Sequence, residues 1–454
     1  MPAGAQSHSS VPPREPARVA IDDHEGVDPV ERTDAASPAD DVGQGFGVSR
    51  SRRIAIRFGM LGPAFVAAVA YVDPGNVAAN LQAGSRYGYL LVWVLVIATA
   101  SAGVVQYLSA KLGLATGASL PQLMGQRLGK PARLSYWLQA EAVAMATDLA
   151  EVIGGAIALG LLFDLPLLLG GLIAGVVSLG LLTVQNRRGQ RPFERVITGF
   201  LLIIAIGFLA GLFVAPPSAV DVASGLIPRF DGLDSVLLAT AMLGATVMPH
   251  VVYLHSALTR DRFGHVHPGP ARKRLLGATR TDVLFAMILA GSVNIAMLLL
   301  AASALRGQEG IDTIEGAHAA VTDTLGPVVG VLFAVGLLAS GLASTSVGCY
   351  AGSVIMEGLL HRRVNLLLRR VITLIPALLV LAIGADPTTV LVISQVILSF
   401  GLPFVLIPLL RLTSDRTLMG ADANRIGVKI IGWLITGAIV ALNAVLIVGV
   451  LTGA

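Results

Sequence analysis

The residues best able to do chemistry in this chain stand beside two helix breakers. Asp73-Pro74-Gly75-Asn76 interrupts one apolar run, and Met248-Pro249-His250 interrupts another after Leu243 to Val247. Asp73 offers a hard anionic oxygen and Asn76 an amide oxygen. The second break offers the Ala245 carbonyl and the Met248 thioether. Oxygens alone suit Mg²⁺ or Ca²⁺. A soft thioether moves the preference toward first-row metals such as Mn²⁺ and Fe²⁺. One negative charge among mostly neutral ligands suits a site that must also let its ion go. A methionine in an apolar helix is usually packing material. Its place one residue before a helix-breaking proline, with an aspartate at the other break, is what favours ligation.

A second group is ionisable. Glu141, Asp148 and Glu151 lie in one apolar block. At 100° per residue they fall within an arc of about 100°, on one helix face. Arg369 and Arg370, at the start of a later block, are available as counter-ions. Two readings are open: a static buried salt-bridge network, or a proton relay of the kind intramembrane carboxylates serve in transporters. His250, two residues from Met248, titrates near physiological pH unless shifted. His255 is about 140° further around the same helix and faces something else.

On a soluble surface Asp-Pro-Gly-Asn would be an ordinary turn. The rest of the chain rules that setting out. Of 454 residues, 54 % are hydrophobic and only 13 % charged, about half the usual charged share of a soluble domain. Mean hydropathy is +0.77. From about residue 56 the sequence runs in apolar blocks long enough to cross ~30 Å of hydrocarbon as helices. They lie near 56–83, 87–113, 134–162, 165–184, 194–214, 235–258, 280–305, 326–359, 369–385, 388–411 and 428–451. The predicted fold is an all-α integral membrane protein with about eleven spans. Both breaks then fall near the bilayer midplane. A carboxylate there costs several kcal/mol, of order 3, unless it meets a partner or water, and freed backbone groups are tolerated there only where they line a cavity.

Basic residues set the direction. Alternate gaps hold 26 Lys and Arg, among them Arg187, Arg188, Arg191 and Arg195, whereas the other gaps hold only Arg86, Arg229 and Arg306. By the positive-inside rule the N-terminus is cytoplasmic and the C-terminus extracytoplasmic. Spans 1 and 6, the broken ones, are five apart. Two five-helix halves, each opening with a broken helix, indicate an inverted-repeat secondary transporter. The halves cover about 56–214 and 235–411, and an extra helix follows at about 428–451. Residues 1–50, rich in Pro, Ser, Asp and Gly, read as a disordered cytoplasmic tail ahead of a single transporter domain over 51–454. Cys349, the only cysteine, reads as a small buried hydrophobe.

These motifs resemble the Nramp family (natural resistance-associated macrophage proteins), proton-coupled importers of Mn²⁺ and Fe²⁺, in its bacterial manganese-transport branch. The resemblance is carried by Asp73-Pro74-Gly75-Asn76, Gly244 to His250, Thr147 to Gly154, Met356-Glu357-Gly358, Ser394-Gln395-Val396 and Leu402-Pro403-Phe404. It implies a LeuT-like 5+5 fold plus one helix. It implies metal ligation by Asp73, Asn76, Met248 and the Ala245 carbonyl, with Gln395 joining in some conformations. It also implies coupling to protons through the third span. The chain departs from the family pattern at Val251, Leu342, Ser353 and Gly401, which leaves those ligands intact and thins the polar vestibule.

The leading expectation is a metal–proton symporter of the inner (cytoplasmic) membrane, importing Mn²⁺, Fe²⁺ and related ions by alternating access. The alternative is an amino-acid or other organic-substrate transporter of the same fold, which would avoid an aspartate and a methionine at its centre. A channel fits the midplane breaks less well. No zincin, nucleophile elbow or phosphate loop supports an enzyme. The expected partners are the metal ion, protons and lipid, with no cofactor, no nucleic acid and no evident obligate protein partner.

Overall fold

Prolines write the helix starts of this chain, because proline's missing N–H costs nothing in a first helical turn. Residues 62–188, 190–306, 313–362 and 365–452 are described by the computed structural model. The expected tail over 1–50 lies outside them, as do Arg50, Arg52, Arg53, Arg57 and Arg363 and the side chains of Arg187, Arg188 and Arg191. Among the described residues every regular element is helical.

The first block is two helices, α1 (Pro63–Ala70) and α2 (Pro74–Tyr87). There follow α3 (Val92–Thr116), a short α4 (Leu120–Arg127), α5 (Lys130–Phe163), α6 (Leu167–Arg188) and α7 (Gln190–Val214). After the short α8 (Ala219–Ser224), the sixth block is again a pair, α9 (Gly232–Thr246) and α10 (Pro249–Phe263). The chain continues through α11 (Pro270–Leu300), drawn out by a π turn at Ala301–Leu305, then α12 (Ile314–Leu325) and α13 (Pro327–Leu360). It ends with α14 (Leu366–Ala382), α15 (Pro387–Ser414), the one-turn α16 (Arg416–Met419) and α17 (Ile426–Thr452).

Within the described residues, each apolar block of the sequence falls on one helix or one broken pair. Among the described residues, eight of these are long and apolar enough to cross a membrane by length and composition. The helix expected at 280–305 starts at Pro270, ten residues early. Hydropathy counts only apolar residues, and this helix opens on Arg272-Lys273-Arg274. Arg272 is buried against Asp422, 2.8 Å away, so a charged start still packs. The short helices α4, α8, α12 and α16 fall in stretches too polar and brief for a span reading to see.

Apolar packing between membrane helices gains little from water exclusion, so close approach of backbones does the holding. Glycines provide it here. The Pro74 ring fills the space beside Gly154 of α5, and the Leu298 carbonyl of α11 fills that beside Gly84 of α2. The α9–α10 pair is the most enclosed of the apolar spans: 89 % of its window is buried, against 28 % for α17. The broken pair is therefore a central element and α17 a peripheral one.

A candidate cation site between two broken helices

The break in the first pair follows from Pro74, which has no N–H to continue the ladder. Tyr71 and Val72 close α1 with bonds to Ala68 and Val69. Asp73 then restarts the helix as N-cap, its Oδ1 accepting from the Asn76 N–H at 2.7 Å. Such capping satisfies one of the orphan donors of a helix start. Three carbonyls at the break accept from side chains of neighbouring helices. Asn294 Nδ2 donates to the Tyr71 carbonyl at 2.7 Å, and Asn80 Nδ2 donates to Asn294 Oδ1 at 3.1 Å. Ser340 donates to the Val72 carbonyl, and Ser344 Oγ donates to that of Val69 at 3.5 Å. Sequence reading missed these four. Their signal was there: serines four apart, and asparagines, in otherwise apolar helices.

The second pair parts at Val247 and Met248, where Pro249 opens α10. Asn76 Nδ2 joins the two breaks: it donates to Asp73 Oδ1 at 3.0 Å and to the Ala245 carbonyl at 3.1 Å. Gln395, from α15, donates through Nε2 to Asp73 Oδ2 at 3.3 Å. Gly75 makes that reach possible, because a Cβ there would occupy the space of the Gln395 amide. Asp73, Asn76, Ala245, Met248 and Gln395 are all fully buried. Asn76 Oδ1 and Gln395 Oε1 have no hydrogen-bond partner. Two bare amide oxygens beside a buried carboxylate and a helix-end carbonyl form an acceptor-rich cluster, which a cation would complete. Four of the five expected ligands are thus hydrogen-bonded to one another, and the fifth, Met248, is the N-cap of α10.

The ionisable group is also assembled. Arg369 Nη2 meets Glu141 Oε1 at 2.9 Å and Arg369 Nη1 lies 3.8 Å from Asp148 Oδ2. Arg370 Nη1 is 3.4 Å from Asp148 Oδ1, and its other donors reach Ser178 and Thr345. Both guanidinium groups are buried. Glu151 stands one helical turn from Asp148, and neither of its carboxyl oxygens has a hydrogen-bond partner. Space for this cluster comes from two glycines four apart on α13. Gly352 faces the Arg369 guanidinium, and a Cβ on Gly348 would lie 3.1 Å from Glu151 Oε1. His250, two residues from Met248, reaches α5: its Nδ1 lies 3.4 Å from Thr147 Oγ1, next in sequence to Asp148, while its Nε2 is unbonded. His255 faces elsewhere, its Nδ1 bonded to Gln106 Oε1 at 2.7 Å. Cys349 is buried. Among the described residues, no three His, Cys, Asp or Glu side chains group as a metal site; Glu141 and Asp148 are committed to guanidinium groups instead.

A family model described as natural resistance-associated macrophage protein-like (Nramp) matches residues 64–449, most of the chain. The chain belongs to the Nramp family. It is therefore a membrane transporter and not an enzyme. Among Nramp relatives, the protein called divalent metal cation transporter MntH in Mycobacterium tuberculosis (strain ATCC 25618 / H37Rv) is 62 % identical over 394 residues, covering 87 % of this chain and 92 % of its own. A crystal structure of the Eremococcus coleocola manganese transporter, in complex with an aromatic bis-isothiourea substituted compound, superposes with a TM-score of 0.79 at 30 % identity, covering 88 % of each chain. A crystal structure of MhsT in complex with L-phenylalanine shares the fold alone, with a TM-score of 0.59 and 14 % identity over 85 % of this chain and 97 % of that one.

Proposed function

We propose that this chain imports divalent transition-metal ions, Mn²⁺ foremost, across the cytoplasmic membrane by alternating access coupled to protons. The observation that carries this reading is the cluster of acceptors at the two breaks: one buried carboxylate, two unbonded amide oxygens and a helix-end carbonyl. The names of the similar proteins, a divalent metal cation transporter and a manganese transporter, point the same way. An organic substrate bearing its own carboxylate would be repelled by Asp73, so the likeness to MhsT extends to architecture only.

In this reading Asp73, Asn76, the Ala245 carbonyl and Met248 ligate the ion, and Gln395 joins when its amide turns its oxygen inward. An ion held by Asn76 and the Ala245 carbonyl then bears on both breaks, which Asn76 Nδ2 already joins. That makes the two half-helices respond to the cargo. His250, Asp148 and Glu151 carry the proton, with Glu141, Arg369 and Arg370 balancing charge along the way. Eleven spans enclose the path, with the N-terminal end cytoplasmic and the C-terminal end outside, as the basic residues indicate. The test is uptake of Mn²⁺ into proteoliposomes with and without an inward proton gradient. Uptake that ignores the gradient removes the coupling, and no uptake in either condition removes the transport reading.

A further inference from the structure

The helix outside the two halves carries one polar residue on its buried stripe that packing alone does not require. Gly432, Thr436, Ile439, Asn443, Leu446 and Gly449 are the buried residues of α17. They repeat every three or four positions, the spacing of one helix face. Leu410 of α15 fills the space beside Gly432, and Leu233 of α9 fills that beside Gly449. Between these close approaches Asn443 makes two bonds to one residue of α15. Its Nδ2 donates to the Ser399 carbonyl at 3.0 Å, and its Oδ1 accepts from Ser399 Oγ at 2.9 Å.

The Ser399 carbonyl needs such a donor. In an α-helix it would accept from the N–H four residues on. That residue is Pro403, which has none. Inside a membrane an unmet carbonyl is costly, so a side chain from a neighbouring helix commonly supplies the bond. The turn from Gln395 to Ser399 is thus gripped on two sides. Gly244, one residue before Ala245, packs so closely on it that a Cβ there would run into the Gln395 carbonyl and Ser399. From the start of this same turn Gln395 reaches Asp73.

We propose that Asn443 is a positioning residue for the cation site: by supplying the donor that Pro403 withholds, it fixes the Gln395–Ser399 turn of α15 and so the reach of Gln395 onto the ion. The extra helix is then a working part of the site, though no atom of it touches the cargo. This rests on the reading of Asp73 and Gln395 as ligands, and the experiment separates the two.

Mn²⁺ affinity of the purified full chain is measured by isothermal titration for wild type, Asn443→Leu, Gln395→Ala and the double variant. Loss of one hydrogen bond's worth of positioning predicts about three- to tenfold weaker binding for Asn443→Leu. Gln395→Ala should cost a similar factor, and the double variant no more than Gln395→Ala alone, because the two act through one contact. Pro403→Ala returns an N–H to the turn and should restore the affinity of Asn443→Leu to within about twofold. If Asn443→Leu cannot be purified, Asn443→Leu with Pro403→Ala decides alone: wild-type affinity supports the proposal and weak binding overturns it. Unchanged binding in Asn443→Leu, additive losses with Gln395→Ala, or no rescue by Pro403→Ala would each overturn it. Asp73→Ala is the control for the site itself: wild-type affinity there would remove the site reading, whatever Asn443 does.

Discussion

A thioether among oxygen ligands is what would separate a transition-metal carrier from a calcium carrier, and that makes Met248 the residue whose removal says most about choice. Met248→Ala should still bind Mn²⁺, since Asp73, Asn76 and the Ala245 carbonyl remain. It should admit Ca²⁺ and Mg²⁺ more readily, because water takes the place of sulfur, and it should weaken Cd²⁺ most. Competition of Ca²⁺ and Cd²⁺ against Mn²⁺ uptake reads both effects. A methionine that only packs predicts a uniform loss with a stability cost of about 2–5 kcal/mol and an unchanged order of preference. The ionisable residues have a different signature. Asp148→Asn, Glu151→Gln and His250→Ala should flatten the pH dependence of uptake while Mn²⁺ affinity by titration changes little; collapse of affinity with pH dependence intact would reassign them. Asp73, Asn76 and Met248 were legible in the sequence because a carboxylate, an amide and a proline are expensive in an apolar run. Asn294, Asn80, Ser340 and Ser344 were not singled out, because a single Asn or Ser in a helix has many innocent uses and only the fold shows which carbonyl it meets.

At the scale of elements, the broken pairs were legible for the same reason: Pro74 and Pro249 cannot continue a ladder, and both sit inside runs that are otherwise helical. The short connecting helices and the early start of α11 were not, since hydropathy is blind to helices that pack by charge. Nor was the role of α13 in housing the ionisable cluster. Its glycines look like ordinary small residues of a membrane helix until the guanidinium facing Gly352 is seen. That contact predicts a coupling defect from a residue with no chemistry. Gly352→Ala puts a methyl into the space of the Arg369 guanidinium, which must leave Glu141 and Asp148. The cost to stability should be about 1–3 kcal/mol, as for other overpacked interiors. Uptake should lose its pH dependence more than its metal affinity. Thermal melting and pH-resolved uptake on one preparation check both, and unchanged pH dependence would show that Arg369 has no part in coupling.

For the molecule as a whole, orientation is the next quantity to measure. The basic gaps at 114–133, 185–193 and 259–279 should be closed to a membrane-impermeant thiol reagent from outside the cell, when single cysteines are introduced in a background lacking Cys349. Labelling of any of them from outside intact cells would overturn the eleven-span arrangement. The fold class, the pairing of breaks and the family were all readable from the chain, because a membrane permits few ways to place apolar runs and makes exceptions conspicuous. The internal bonds that hold the site were not, because hydrogen bonding between helices leaves no periodic trace. The central claim is that the cargo binds where the two breaks meet. Its most direct test is Mn²⁺ uptake into proteoliposomes under an inward proton gradient, wild type beside Asp73→Ala, with melting temperatures matched to show intact folding. Wild type should show gradient-driven uptake and the variant only background; uptake by Asp73→Ala at the wild-type rate would place the cargo elsewhere.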